Sequence, residues 1–174
     1  MKLLENESIR LRALEPEDLE FLYKWENDTS LWEYGNTLTP FSKFVLRQYL
    51  ENATLDIFEA KQIRMIIEDK DTKKPVGTID LYDFEPFHNR AGIGILIDED
   101  FQRKGYASQA LVQMKEYAFQ FLKMDQLYAY IPMLNIPSVH LFRKCGFEES
   151  GLLRKWNKTT EGSGDVFVYQ CFGE

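Results

Sequence analysis

The chain reads as one α/β domain, a mixed central sheet of about seven strands with helices on both faces. Three observations predict it. Short β-branched, apolar runs recur along the chain and alternate with segments whose apolar residues fall at three- and four-residue spacing. Their order, β-α-α-β-β-β-α-β-α-β-β, combines hairpins with strand–helix–strand crossovers, which a sheet covered on both sides requires. No linker, internal repeat or low-complexity tract divides residues 1–174.

The elements run in this order. Ser8 to Leu14 alternates and reads as a strand. Pro16, followed by Glu17 and Asp18, suits a helix N-terminus, with Leu19, Leu22 and Trp25 as its apolar face and Asn27-Asp28 as its end. Leu31 to Gly35 is aromatic and acidic. Ser42 is an N-cap for a second helix carrying Val45, Leu46, Tyr49 and Leu50. Gln62–Glu68 and Val76–Phe84 are strands around the polar turn Asp69–Lys74. In the next strand, Ala91–Ile97, Gly92 and Gly94 share one side of the pleat. That pattern fits a bulge, a ligand close to the backbone, or a crowding helix. A helix from Ala107 to Leu122 shows the core stripe Ala110, Leu111, Met114, Tyr117, Ala118, Phe121. After a strand over Gln126–Ile131, a short helix starts with Pro137 at its first position and stops at Gly146. Phe147–Trp156 and Val166–Phe172 complete the sheet, joined across Glu161–Asp165.

Composition narrows the function classes. At 44% hydrophobic and 14% aromatic, 174 residues can build one sizeable core. No apolar run approaches the roughly 20 residues that span a bilayer, and Met1–Glu5 lacks the apolar core of a signal peptide, so a cytoplasmic protein without membrane partners is expected. Cys145 and Cys171 are the only cysteines, with no CxxC and no His/Cys cluster, so neither a disulfide framework nor a metal site is expected. The net charge of −7 is uneven: residues 1–60 carry 12 acidic and 6 basic side chains, and residues 61–174 carry 16 and 15. The acidic third is either a solvated face or an attractor for a cationic partner. Without a basic patch, nucleic acid is disfavoured.

The stretch Gln102-Arg103-Lys104-Gly105-Tyr106-Ala107 joins an apolar strand, through Asp98-Glu99-Asp100, to the start of the long helix. Free N–H groups and the helix dipole meet there, Gly105 permits close backbone approach, and Arg103 and Lys104 add charge. Such a place suits a phosphate or pyrophosphate; the plainer reading is a solvated basic turn.

These six residues resemble the Q/R-x-x-G-x-G/A acetyl-CoA loop of the GNAT family of N-acetyltransferases. Asn135-Ile136-Pro137-Ser138-Val139-His140-Leu141-Phe142-Arg143-Lys144-Cys145-Gly146-Phe147 is similar to that family's second signature, N-x-x-(S/A)-x-x-L-Y-x-K-x-G-F. The element order matches along nearly the whole chain, most closely in the branch of ribosomal-protein-alanine and spermidine acetyltransferases. The resemblance implies a GNAT fold over residues 1–174, with acceptor-side helices in 1–60 and an acetyl-CoA-binding core in 90–147. It implies that the N–H groups of Arg103–Ala107 hold the pyrophosphate after Gln102, with Ser108 nearby. The pantetheine arm would pair with the Ile95–Ile97 edge where that strand splays from the one ending at Ile131. Asn135 would hydrogen-bond the arm beside Ser138, and Arg143 and Lys144 would approach the adenosine.

By this resemblance the protein is an acetyltransferase acting by direct amine attack on the thioester of acetyl-CoA, without a metal. The acceptor would be a small amine or peptide, with a polyamine, a basic peptide N-terminus or an aminosugar as the cationic choices. The chain departs from the pattern twice. Phe142 stands where the family tyrosine protonates the departing thiolate. Gly92 stands where a carboxylate is often found. A thiol of reference pKa about 8.5 leaves tolerably unaided, whereas an ammonium near 10.4 must lose a proton. Asp80, Glu33 and Asp83 are the replacement bases, directly or through a water, and Tyr34, Tyr128 and Tyr130 are alternative proton donors. Glu33, Tyr34, Asp83 and His88 would line the acceptor cleft. The other reading is an acyl-CoA-binding module without catalysis. A homodimer through the final hairpin is also expected.

Overall fold

The computed structural model describes residues 2–174. Seven strands form one sheet: β1 (Ile9–Arg12), β2 (Ile63–Asp69), β3 (Pro75–Glu85), β4 (Arg90–Ile97), β5 (Gln126–Pro132), β6 (Glu148–Thr159) and β7 (Gly162–Phe172), in the order β1-β2-β3-β4-β5-β7-β6. Every neighbouring pair is antiparallel except β4 and β5, which run parallel. Five helices accompany it: α1 (Leu19–Glu26), α2 (Lys43–Asn52), α3 (Ile57–Ala60), α4 (Tyr106–Glu116) and α5 (Ile136–Lys144).

The period-two alternation of the strands divides the apolar residues between two cores. Ile9, Ile67, Ile79, Leu81 and Ile93 pack with Ala110, Leu111 and Met114 of α4 and Val139 and Phe142 of α5. The residues between them face the other way, where Ile66 meets Leu22 and Trp25 of α1 and Leu46 of α2. This second face also holds Arg12, which bridges the sheet to the turn before α1. Its guanidinium donates twice to Asp18 (2.8 and 2.9 Å) and once to Glu68 (2.6 Å). Removing one member of such a buried network costs about 3–5 kcal/mol, because the others are left uncompensated.

Local chemistry explains the helix starts. Ser42 Oγ accepts the Val45 N–H at 3.1 Å, and Asp56 Oδ1 accepts those of Phe58 and Glu59 at 2.8 and 3.0 Å. The second of these caps starts α3, a helix too short to show an apolar period in the sequence. Asp28 likewise caps a 3-10 turn over Thr29–Tyr34, where no element is expected from the sequence.

Other boundaries shift. Asn135 caps α5, so Pro137 stands second in that helix, not first. The last hairpin turns on Thr160 and Glu161, and residues 162–165 belong to β7. The long helix does not run regularly to Leu122. α4 ends at Glu116 and passes into a π turn, Tyr117–Phe121. The wider turn rotates the later side chains about the helix axis, so Phe121 leaves the core stripe and is 62% exposed, with its ring stacked on Tyr117 at 5.5 Å.

Close approach also sets one glycine. A β-carbon at Gly77 would stand 2.0 Å from the Leu96 carbonyl oxygen. Gly77→Ala therefore has to push β3 from β4. A loss of about 3 kcal/mol in urea unfolding is expected, the high end for overpacking, because a backbone atom and not a side chain is in the way.

Candidate functional site

The parallel pairing of β4 and β5 is short. Arg90, Ala91 and Gly92 pair with Gln126, Leu127 and Tyr128, and beyond Gly92 the strands part while β5 stays paired with β7. One main-chain edge of β4, including the half-buried Ile95 and Ile97, therefore faces a gap. The N-termini of α4 and α5 come after β4 and β5 respectively, so both flank this gap.

Asp98 organises the α4 side. Its Oδ1 accepts the Asp100 N–H (3.0 Å), starting a turn over Glu99–Phe101, and the Gln102 amide returns to the Ile97 carbonyl (3.2 Å). Arg103 (φ +61°) and Gly105 (φ +83°) then carry the chain into α4 with Gly105 as its cap. Lys104 donates to the Asp100 carbonyl (3.0 Å) and lies over the Phe101 ring, and Ser108 Oγ donates to the Gly105 carbonyl (3.1 Å). Among the described residues, the backbone N–H groups of 103 through 108 have no acceptor within the fold. Tyr106 offers only its N–H, because its side chain is used elsewhere. The hydroxyl donates to Asp69 at 2.6 Å, fastening the first turn of α4 to the β2–β3 turn. That bond, with burial, pushes the phenol up to about 12 and holds the Asp69 carboxyl below its ordinary value.

On the α5 side, Asn135 Oδ1 accepts the Ser138 N–H at 3.4 Å, leaving the Asn135 amide N–H groups for another partner. Phe142 is 3% exposed and packs edge-to-face on Phe147 at 5.0 Å, a core residue with no proton to give. Arg143 donates to the Tyr169 hydroxyl (3.1 Å), and Lys144 is exposed at the helix end.

The carboxylates differ in freedom. Asp80 accepts two hydrogen bonds from Arg64 (2.8 and 2.9 Å), whose guanidinium also reaches Glu26 of α1 (2.6 Å) and lies against the Tyr49 ring. A base there would first have to leave its ion pair. Glu33 accepts the Thr160 N–H (3.0 Å), so it ties the Thr29–Tyr34 turn to the β6–β7 hairpin, and Tyr34 beside it is half exposed. His88 is exposed in the β3–β4 turn, edge-on to Phe87, on the closed side of the parting. Asp83 is exposed at φ +49°, at the bulge where β3 slips against β4. Its charge contributes to raising the hydroxyls of Tyr82 and Tyr128, burial being the larger cause in both.

The glycine pair has an explanation that the sequence does not suggest. A β-carbon at Gly92 would stand 2.4 Å from Cε2 and Cζ of Tyr82, and one at Gly94 3.7 Å from Cε1. Neither a helix nor a ligand sets the requirement at Gly92. The cross-strand partner Tyr82 lies over it, filling the space a carboxylate side chain would use. The signal is present in sequence, as a tyrosine on the neighbouring strand, but only the register connects the two. Equally unforeseen is Asp98 Oδ2, which accepts from Lys24 (2.8 Å) and Trp25 Nε1 (2.7 Å) and so ties α1 to the loop.

The loop, the parted strands and the second helix start match a known arrangement. The family model for the acetyltransferase (GNAT) domain matches residues 8–148. The chain belongs to the GNAT acetyltransferase family. It is 30% identical over 148 residues to a spermidine N(1)-acetyltransferase of Vibrio cholerae, covering 85% of this chain and 83% of that one. A crystal structure of spermidine N-acetyltransferase from Vibrio cholerae in complex with CoA and spermine superposes with a TM-score of 0.85 at 26% identity, covering 96% of each chain. A dodecameric structure of the Vibrio cholerae enzyme in an intermediate state gives a TM-score of 0.79 at 28% identity, covering 96% of this chain and 95% of that one. This GNAT protein is an acetyl-CoA-dependent N-acetyltransferase, and the reading as a non-catalytic acyl-CoA-binding module is not favoured. Among the described residues, no helix is long and apolar enough to cross a membrane, and no group of three or more His, Cys, Asp and Glu side chains is placed to hold a metal.

Asp98 gives the site a pH signature. Burial alone would raise its carboxyl, but the bonds from Lys24, Trp25 and the Asp100 N–H more than offset this and hold it below the ordinary range. A depressed folded-state pKa contributes stability above the unfolded value of about 3.9 and loses it as pH falls through the folded value. Asp98→Asn should therefore cost about 2 kcal/mol at neutral pH, as for a hydrogen bond to a charged group. In chemical denaturation, the gap from the parent protein should narrow steadily once the pH drops below about 4.

Proposed function

We propose that this GNAT protein acetylates a primary amine bearing more than one positive charge, a polyamine before a basic peptide N-terminus or an aminosugar. The observation that carries the reading is the juxtaposition of the parted β4 edge with carboxylates on the sheet face beneath α1 and α2. Asp80 lies there and Glu26 closes α1 above it, together exceeding the charge of the Arg64 they share, Asp83 stands at the nearby bulge, and the adjoining third of the chain is itself acidic. The polyamine named for the Vibrio cholerae relative and the spermine in the similar structure support the same acceptor class.

The residues fit acetyl-CoA. The unpaired N–H groups of Arg103 to Ser108, at a helix N-terminus, suit its pyrophosphate, with Gly105 keeping the approach open. The free edge at Ile95 and Ile97 suits the amide groups of the pantetheine arm, with the Asn135 side chain and Ser138 on the far wall. Lys144, exposed at the end of α5, would meet the adenosine phosphate, whereas Arg143 is held by Tyr169. When bound, acetyl-CoA supplies the thioester that the amine attacks. Residues 90–147 would then be the acetyl-CoA half, and residues 1–60 the acceptor side.

The chain's own task is to orient the amine, exclude water and take one proton. Asp83 is the carboxylate best suited to receive that proton through a water, because Asp80 is held by Arg64 and Glu33 by the hairpin backbone. Glu33, Tyr34 and His88 would contribute to the cleft rim only. With Phe142 buried, the thiolate leaves without a tyrosine acid and is protonated by solvent, a small penalty for a thiol near pKa 8.5. Self-association through the free β6 edge belongs to the same reading, consistent with the dodecameric neighbour.

Thiol release followed over a panel of amines tests the function. Turnover should be highest with polyamines, fall with added salt, and drop at least ten-fold in Asp83→Asn while acetyl-CoA affinity is retained. Gly105→Glu should instead abolish acetyl-CoA binding, because a charged side chain at φ +83° blocks the cradle. Equal rates with neutral and polycationic amines would reject the acceptor assignment.

A further inference from the structure

The replacement of the fourth-strand carboxylate has a counterpart on the neighbouring strand. The Tyr82 ring crosses Gly92 and approaches Gly94, with Cδ2, Cε2 and Cζ over the first and Cε1 near the second. A ring in contact with both glycines lies across β4 with one face against the backbone. Its other face turns away from the sheet, toward the side on which α1 and α2 pack, since Tyr82 alternates with Leu81 and shares its side of β3 with Asp80. Tyr128 stands next to it at 6.3 Å with an interplanar angle of 82°, and Tyr130 continues at 5.5 Å and 67°. The three rings, each turned steeply against the next, make a corner at the point where β4 and β5 part. Burial, aided by the nearby tyrosines and by the charges of Asp83 and Asp80, keeps the Tyr82 hydroxyl protonated, so the floor of the corner is a neutral phenol.

We infer that the outward face of Tyr82, walled by Tyr128 and Tyr130, seats the ammonium group of the acceptor by cation–π attraction, in place of a carboxylate on β4. A cation over an aromatic face is drawn by the ring quadrupole, most strongly where water is thinned out, and the carboxylate of Asp83 adds to the attraction. The glycine at 92 is then a requirement of recognition: any β-carbon there would lift the ring. This rests on the proposal that the acceptor is cationic, but it is testable without turnover.

The probe is choline, which cannot be acetylated at its quaternary nitrogen, against its neutral isostere 3,3-dimethylbutan-1-ol. Both are titrated by NMR into the full-length protein saturated with CoA. Choline should bind about ten-fold more tightly than the alcohol. Tyr82→Leu should erase that ratio and Tyr82→Phe should restore it, with acetyl-CoA affinity by calorimetry as the control for folding. Gly92→Ala offers an independent route, because it keeps the phenol and displaces it, and should also erase the preference. Equal binding of the two probes to the parent protein, or a preference that survives both Tyr82→Leu and Gly92→Ala, would overturn the inference. If the preference behaves as expected and no amine is acetylated, the proposed acceptor reaction fails and the ammonium seat stands.

Discussion

The parting of β4 from β5 is the constraint on which the rest of the structure depends. Parallel strands normally continue pairing until a turn stops them, because each unpaired N–H and C=O in a dry place is costly. Here pairing ceases after Gly92, although both strands continue. β4 is paired along its length with β3, and β5 with β7, so each belongs to its own antiparallel ladder. At the closed end of the gap the Tyr82 and Tyr128 rings pack edge-to-face. The main chain of β4 beyond Gly92 is thereby left without a strand partner on that edge.

Electrostatic ties couple the two halves of the cleft. Asp98 is the last residue before the turn that sets the loop, and both α1 side chains that reach it, Lys24 and Trp25, come from the acidic N-terminal third. Arg64 does the same from β2, reaching Asp80 on β3 and Glu26 on α1. Each tie is a charged group with several hydrogen bonds in a half-buried setting, where geometry and not charge count decides its worth. Together they tie α1 to the sheet and to the loop before α4. The acidic excess of residues 1–60 is therefore partly structural: Asp18 and Glu26 serve Arg12 and Arg64, and the remaining acids supply the field.

The features legible in sequence are local ones. The turn from Asp98 to Gly105 and α5 between Asn135 and Gly146 are each written in consecutive residues, as cap, glycine and apolar spacing, and the helix departs from expectation only by one residue at its start. The alternation of β2, β3 and β4 is equally readable. The features hidden from sequence depend on register or on a change of period. Asp80 stands among the replacement bases until β2 is laid beside β3 and Arg64 falls opposite it. Phe121 fits a helical stripe until a π turn changes the period. Gly92 reads as a lost base until Tyr82 is seen above it. In each case the missing information is which residue from another element occupies the adjacent space, and no one-dimensional pattern carries that.

The two departures from the family pattern are then of different kinds. At Phe142 the hydroxyl is lost and the ring kept, so a packing position in the core is retained while a proton donor is removed. A thiolate is a good enough leaving group for that loss to be tolerated. At Gly92 an entire side chain is exchanged for a ring from the next strand. A carboxylate there would both attract an ammonium and accept its proton; a phenol face can only attract. In the proposed reading the two tasks are separated in space, with attraction at Tyr82 and proton acceptance at the exposed Asp83. The separation has a physical advantage. A carboxylate in direct contact stabilises the ammonium strongly and so raises the pKa it must overcome, whereas a cation over a ring is held by about 0.5–2 kcal/mol. That corresponds to at most about one and a half pKa units, leaving the nitrogen easier to deprotonate than in a close ion pair.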